Sequence, residues 1–169
     1  MKKRNYALMA WAALTAVFSA CTVPTTTTRE SPGGPDRASF GPVARVLVNR
    51  CGTLDCHGSL YRNMRLYGFG SARLDPKALP DSPGDTTPAE IDADYDAVVA
   101  LEPARFREVV GSGGQGADSL TLVRKARGAE SHKGGQRIVP GDSADQCLLS
   151  WLASAVDAKG ACASAVASP

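Results

Sequence analysis

The most informative segment of this sequence is Arg50-Cys51-Gly52-Thr53-Leu54-Asp55-Cys56-His57-Gly58. It holds two of the five cysteines of the chain, and the second of them directly precedes one of the only two histidines. Four apolar residues ahead of it are spaced as on one face of a helix: Phe40, Val43, Val46 and Leu47. The pattern predicts a helix from about residue 41 to 50 that leads into Cys51.

Covalent attachment of c-type haem needs cysteines and a histidine in this order. Each thiol adds to a vinyl group of the haem, and the histidine next to the second cysteine ligates the iron from the proximal side. The segment therefore resembles the attachment motif of bacterial cytochromes c, with four residues between the cysteines where two are usual. The resemblance implies that Cys51 and Cys56 hold haem c and that His57 is the proximal axial ligand.

The resemblance continues beyond this motif. Its further parts are Leu66-Tyr67-Gly68, Ser119-Leu120-Thr121-Leu122, His132-Lys133-Gly134-Gly135, Pro140-Gly141-Asp142 and Leu148-Leu149-Ser150-Trp151-Leu152. In cytochromes c the first and last helices cross and pack together. The resemblance thus implies an all-α, cytochrome c-like domain over residues 40–165.

Two other arrangements of the same residues stay open. Cys51 and Cys56 can form a small disulfide loop in an exported domain that has the same fold and no haem. Zinc is the second, because Cys51, Cys56, His57 and His132 offer four nitrogen and sulfur ligands.

His132 is our candidate for the distal axial ligand. It precedes the last helix, and in the resembled proteins the distal ligand also comes from the downstream half of the chain. Met64 is only seven residues from His57 in sequence, and we expect it to fill space beside the haem. An iron with no second protein ligand, open to small molecules, is the third alternative.

Cys147 and Cys162 are predicted to form a disulfide. A helix from residue 147 to 157 rises about 15 Å, and five residues running back cover about 16 Å. The bond is compatible with an oxidising compartment. It would fix the C-terminal tail to the last helix.

The first 20 residues are typical of a signal peptide. Lys2, Lys3 and Arg4 precede the uncharged stretch Tyr6–Ala20, which is short of the about 20 residues that a membrane span needs. The end, Ser19-Ala20-Cys21, resembles a bacterial lipobox, which implies lipidation of Cys21 and anchoring in the outer membrane. An ordinary signal peptide cut nearby is the alternative.

Residues 21–39 are rich in Thr, Pro and Gly and are predicted to be a flexible tether. Without Lys2, Lys3 and Arg4, the chain has 16 basic and 17 acidic residues and no basic tract. This balance argues against nucleic-acid binding.

Several helices are predicted from periodicity and capping signals. One begins at the capping box Thr87-Pro88-Ala89-Glu90, a short one begins at Pro103, and residues 119–127 favour helix over strand. The last begins with a capping box at Ser143–Gln146, has Leu148, Trp151, Leu152 and Ala155 on one face, and ends at Gly160. Residues 71–87 are predicted to be a surface loop.

Two groups of charges have simple interpretations. Asp92, Asp94 and Asp96 suit the positive end of a helix. The basic residues near His132 form either a solvated face or a patch for haem propionates or a redox partner: Arg124, Lys125, Arg127 and Lys133.

The sequence favours a lipoprotein that is anchored to an envelope membrane and carries one c-type haem. Such a protein would be an electron carrier rather than an enzyme, and its redox partner is not indicated by the sequence. A haem-free lipoprotein stapled by disulfides, acting as a structural or binding module, is the alternative.

Overall fold

The computed structural model describes residues 33–154 and 158–167. Over these ranges the chain is all-α, as predicted, with six α-helices, one 3-10 turn at Ala117–Ser119 and no strand. The helices are α1 (Phe40–Cys51), α2 (Pro88–Val99), α3 (Pro103–Gly111), α4 (Thr121–Ala126), α5 (Ser143–Leu152) and α6 (Ala158–Ala167). None of these helices is long and apolar enough to cross a membrane. The signal peptide over residues 1–20 and the lipidation of Cys21 lie outside the described residues and stay predictions.

The first helix is where the apolar periodicity places it. Its predicted face is buried, with Ala44 and Val48 added to the four apolar residues of the pattern. α1 packs against α2, α5 and α6. The N-terminal helix therefore contacts both C-terminal helices, as expected.

The predicted last helix is two helices. α5 ends at Leu152, where Ser154 adopts a left-handed φ of 53° that does not continue a helix. Gly160, the predicted terminator, lies within α6, and Ala155 lies outside the described residues. The two helices pack against each other. The predicted Cys147–Cys162 disulfide joins them, with both cysteines buried.

The capping signals are right for α2 and displaced by one residue for α5. Thr87 accepts from the Glu90 amide, and the Glu90 side chain accepts from the Thr87 amide, as predicted. At α5 the N-cap is Asp142, whose carboxylate accepts from the Asp145 amide at 2.7 Å. A carboxylate in this position both accepts the free amide and interacts favourably with the helix dipole.

Trp151 is the centre of the core. Its ring packs against Phe40 at 4.9 Å between centroids and against Tyr95 and Phe106 at 6.2 Å each. These four rings come from α5, α1, α2 and α3. Aromatic contacts at such distances add to the stabilisation from burial.

Residues 33–39, which we assigned to the tether, are attached to the domain. The Tyr95 hydroxyl donates to the Pro35 carbonyl at 2.6 Å, and the Trp151 indole donates to the Asp36 carbonyl at 2.9 Å. The Arg37 guanidinium stacks 4.1 Å above the Tyr95 ring. The domain thus includes these residues as well as the predicted range.

Asp94 does not lie at the positive end of a helix, and that interpretation was wrong. It occupies the second turn of α2, is fully buried, and accepts from the Tyr67 amide at 2.7 Å. Its neighbours Asp92 and Asp96 bond to Arg37 instead. Of the three aspartates that alternate in the sequence, the middle carboxyl is therefore buried and the outer two are exposed.

The long connection from α1 to α2 is held by a buried ion pair. Arg73 lies 2.8 Å from Glu90, and their side chains are 6% and 2% exposed. Burial opposes ionisation of Glu90, but Arg73 and the amides of Thr87 and Leu74 donate to it and lower its pKa to about 2. The helix-capping residue thereby also fixes the loop over residues 71–87, most of which is at the surface as predicted.

We predict that Glu90→Gln destabilises the domain at neutral pH by about 3 kcal/mol, because Arg73 is left buried without its anion. The pKa of Glu90 is lower in the folded than in the unfolded state, so its contribution is complete above pH 4.5 and is lost as the pH falls toward 2. Urea unfolding at several pH values measures both effects. Glu108→Gln, at an exposed position of α3, is the control. Equal stability of Glu90→Gln and wild type at pH 7 would contradict the assignment.

Candidate functional site

The predicted cofactor residues line two adjoining depressions on one side of the domain. The main cleft has a volume of about 410 Å³ and is lined by Cys51, His57, Met64 and His132, among others. A side pocket of about 230 Å³ adds Cys56. Cys51, His57 and His132 line both depressions, so they form a continuous site. The main cleft falls within the size range of cofactor pockets, about 300–1,000 Å³.

The four residues between the cysteines form one tight turn. The His57 amide donates to the Cys51 carbonyl at 3.0 Å, and the amides of Cys56 and Gly58 donate to the Thr53 carbonyl at 2.8 and 3.0 Å. A Cβ at position 58 would lie 2.1 Å from the Gly52 carbonyl oxygen. Glycine after the histidine is therefore required by the close approach of the backbone, whether or not the site holds a cofactor.

The imidazole of His57 is oriented by the backbone. Its Nδ1 lies 2.9 Å from the Met64 carbonyl oxygen. A carbonyl only accepts, so Nδ1 carries a proton, and in the neutral ring this tautomer leaves the lone pair on Nε2. The Leu66 amide donates to the His57 carbonyl at 2.8 Å, so segment 64–66 holds both the ring and the backbone of this residue.

Met64 contributes mainly through its position in the core. Its side chain is 6% exposed and belongs to the hydrophobic cluster, while also lining the main cleft. This agrees with the predicted role of filling space. The Met64 carbonyl also orients the His57 ring. A backbone contact of this kind leaves no pattern in the side chains of the sequence.

His132 reaches the same cleft from the second half of the chain. Its Nδ1 is buried and has no hydrogen-bond partner among the described residues. Burial lowers the pKa of this histidine, and the charge of Lys125 adds to the effect. The ring packs on Gly134, where a Cβ would lie 2.9 Å from His132 Nε2. His132 therefore favours its neutral form more than a free imidazole does.

Cys51 and Cys56 are free thiols in this structure, in contrast to Cys147 and Cys162. The small disulfide loop considered above is therefore not formed. Burial raises the pKa of the Cys51 thiol to about 11, which keeps it protonated at neutral pH. Zinc has no support from the geometry either. No group of three or more His, Cys, Asp or Glu in residues 33–154 and 158–167 is arranged to hold a metal ion.

The predicted basic residues near His132 have two different roles: some form structural ion pairs, and others line the site. Arg127 bonds to Asp145 and Asp118, and Arg124 bonds to Glu130, so both hold the structure together. Lys125 also bonds to Glu130, but it lines both depressions, and Lys133 lines the side pocket.

Two further cations at the site were missed by the sequence analysis. Arg62 lines both depressions and Arg137 lines the side pocket. Their only signal in the sequence is their spacing from the histidines, since each follows one of the two histidines by five residues. No acidic residue is among those that line either depression. The lining of the site is therefore positive within a nearly neutral chain, although Glu130 pairs with Lys125 and Asp55 lies within electrostatic reach of Lys133 and Arg137.

Comparison of this chain with protein-family models, with curated proteins and with solved structures finds no match in any of the three.

We predict that Cys51 and Cys56 are both free in the haem-free protein. Alkylation after unfolding without reductant should add two labels to tryptic peptide 51–62, while peptides 138–159 and 160–169 stay joined by their disulfide. Reduction before alkylation is the control, since it must separate and label the joined pair. In the folded protein at pH 7.5, Cys51 should react slowly, because a pKa of about 11 leaves about 100-fold less thiolate than a pKa of 9. An unlabelled peptide 51–62, lighter by two hydrogens, would contradict this.

Proposed function

We propose that this protein is a c-type haem protein that transfers single electrons in the cell envelope. The observation that carries the proposal is the orientation of His57. Its Nδ1 is engaged with the Met64 carbonyl, which leaves Nε2 free, and the two depressions that His57 lines also contain both thiols of the motif. Engagement of the second ring nitrogen is the usual arrangement for a histidine that ligates a metal.

Cys51 and Cys56 would attach the haem through thioether bonds. In each addition the sulfur bonds to one vinyl carbon and the thiol hydrogen goes to the other, so no oxidant or reductant is consumed. Both residues are unpaired thiols, which is the form that this reaction needs. The haem iron, when bound, supplies the one-electron chemistry.

The positive residues around the side pocket fit the carboxylates of a haem. The lining includes Arg62, Lys125, Lys133 and Arg137 and no acid, and of these four Lys125 is already paired with Glu130. Charge-assisted bonds from such cations to carboxylates are among the stronger hydrogen bonds in proteins. The apolar lining of the main cleft, which includes Met64, Leu101 and Leu122, suits the remainder of the macrocycle.

His132 is proposed as the second protein ligand of the iron, because it lines the same cleft as His57 from another part of the chain. Ligation by two histidines favours a lower reduction potential than ligation by histidine and methionine.

The cellular setting is also a proposal. Lipidation of Cys21 would hold the domain at a membrane of the envelope, by resemblance the outer membrane, facing the periplasm or the cell surface. Its redox partner would be another protein, and the cytochrome c-like character of the fold belongs to the same proposal.

We predict that the full chain, produced together with a cytochrome c assembly system, gives a c-type pyridine haemochrome spectrum. Cys51→Ala/Cys56→Ala should abolish covalent haem, because no thioether can form. Colourless wild-type protein under conditions where a known cytochrome c matures would overturn the proposal.

Two histidine variants provide the matched comparison. His132→Ala should retain covalent haem but change from a low-spin to a high-spin spectrum, since only the distal ligand is lost. His57→Ala should lose most of its haem, because the proximal ligand adjoins the attachment site. Identical spectra for His132→Ala and wild type would exclude His132 as a ligand without affecting the attachment itself.

A further inference from the structure

Asp94 is a buried acid to which the proposed function gives no role. The residue is 0% exposed on α2. Its Oδ1 accepts from the Tyr67 amide at 2.7 Å. Its Oδ2 is buried and has no hydrogen-bond partner among the described residues. An ionised carboxylate in such a place normally has a cation or several donors beside it, so this one requires an explanation.

The peptide segment that Asp94 holds is the one that orients His57. Tyr67 directly follows Leu66, whose amide donates to the His57 carbonyl at 2.8 Å. Two residues earlier, the Met64 carbonyl lies 2.9 Å from His57 Nδ1. The segment 64–67 is therefore fixed by a carboxyl at one end and contacts the proximal imidazole at the other.

The charged groups around Asp94 do not neutralise it. On the same helix, the charged group that acts on the pKa of Asp94 is Glu90. Its carboxylate is bonded to Arg73, in the loop between α1 and α2. On α1, which packs against α2, Arg45 bonds to Asp85 and Arg50 donates to the Ala165 carbonyl.

Burial raises the pKa of Asp94 to about 8, the Tyr67 bond opposes the rise, and the charge of Glu90 adds to it. The carboxyl is thus protonated at neutral pH and ionises in a mildly alkaline range.

We propose that Asp94 is a positioning residue for His57 and that it acts through the Tyr67 amide and segment 64–67. Loss of the Asp94 proton is then transmitted to the proximal imidazole and to the haem iron. The part that concerns the iron rests on the proposed function, whereas the part that concerns His57 needs no haem. Ionisation adds a buried negative charge, which favours the more positive, oxidised state of the iron. The reduction potential therefore falls as the pH rises through about 8.

The first test uses the haem-free full chain and NMR. The pH is raised from 5 to 10 while the Asp94 carboxyl carbon, the Tyr67 amide and the His57 ring nitrogens are followed. All three should show a step near pH 8. In Asp94→Asn, which keeps the size of the side chain and one acceptor oxygen, the step at Tyr67 and His57 should disappear. Asp92→Asn, an exposed position two residues away, should keep it.

The second test measures the reduction potential of the haem-loaded chain over the same pH range. The potential should fall through pH 8 in wild type and Asp92→Asn and should show no such step in Asp94→Asn. If the haem attaches but wild-type His57 shows no step near pH 8, or if the step persists in Asp94→Asn, the role of Asp94 is overturned and the proposed function stands. If the NMR steps appear but no haem attaches, the proposed function is overturned and the positioning of His57 by Asp94 stands.

Discussion

The hydrogen bond between His57 Nδ1 and the Met64 carbonyl is the interaction on which the site depends. The chain between α1 and α2 has no regular helix or strand, so a side chain there needs specific bonds to keep its direction. That one bond fixes the tautomer, frees the other ring nitrogen and ties the cysteine turn to the core through Met64. The tight turn behind His57 and the carboxyl of Asp94 support it from two sides.

The second half of the chain completes the site by adding charge and a second histidine. The chain is nearly neutral as a whole, yet the residues that line the side pocket include four cations and no acid. Of these four, Lys125 is paired with Glu130, whereas Arg73 and Arg127 elsewhere in the fold are paired with Glu90 and Asp145. The separation of charge therefore arises in the folded domain, where two distant loops meet, and composition gives no sign of it.

The sequence predicts what depends on local order and misses what depends on distant contacts. Periodicity locates α1, and the Thr87 capping box locates the start of α2, because both signals lie within a few residues. The Cys147–Cys162 bond was predicted from the short stretch of chain between the cysteines and from an oxidising compartment, and it forms although α5 ends at Leu152 rather than continuing to residue 157. By contrast, the burial of Asp94 depends on a loop some 27 residues away. The attachment of residues 33–39 likewise depends on Tyr95 and Trp151, which no local pattern connects to them.

If the cysteine turn before His57 carries a covalently bound haem, the mass of one peptide shows it. Trypsin cleaves after Arg50 and Arg62, so Cys51, Cys56 and His57 leave the protein in a single peptide, residues 51–62. In protein matured with a cytochrome c assembly system and then unfolded, we expect this peptide with the added mass of one haem. The same peptide with two free thiols, or with a disulfide and no haem, would contradict this expectation.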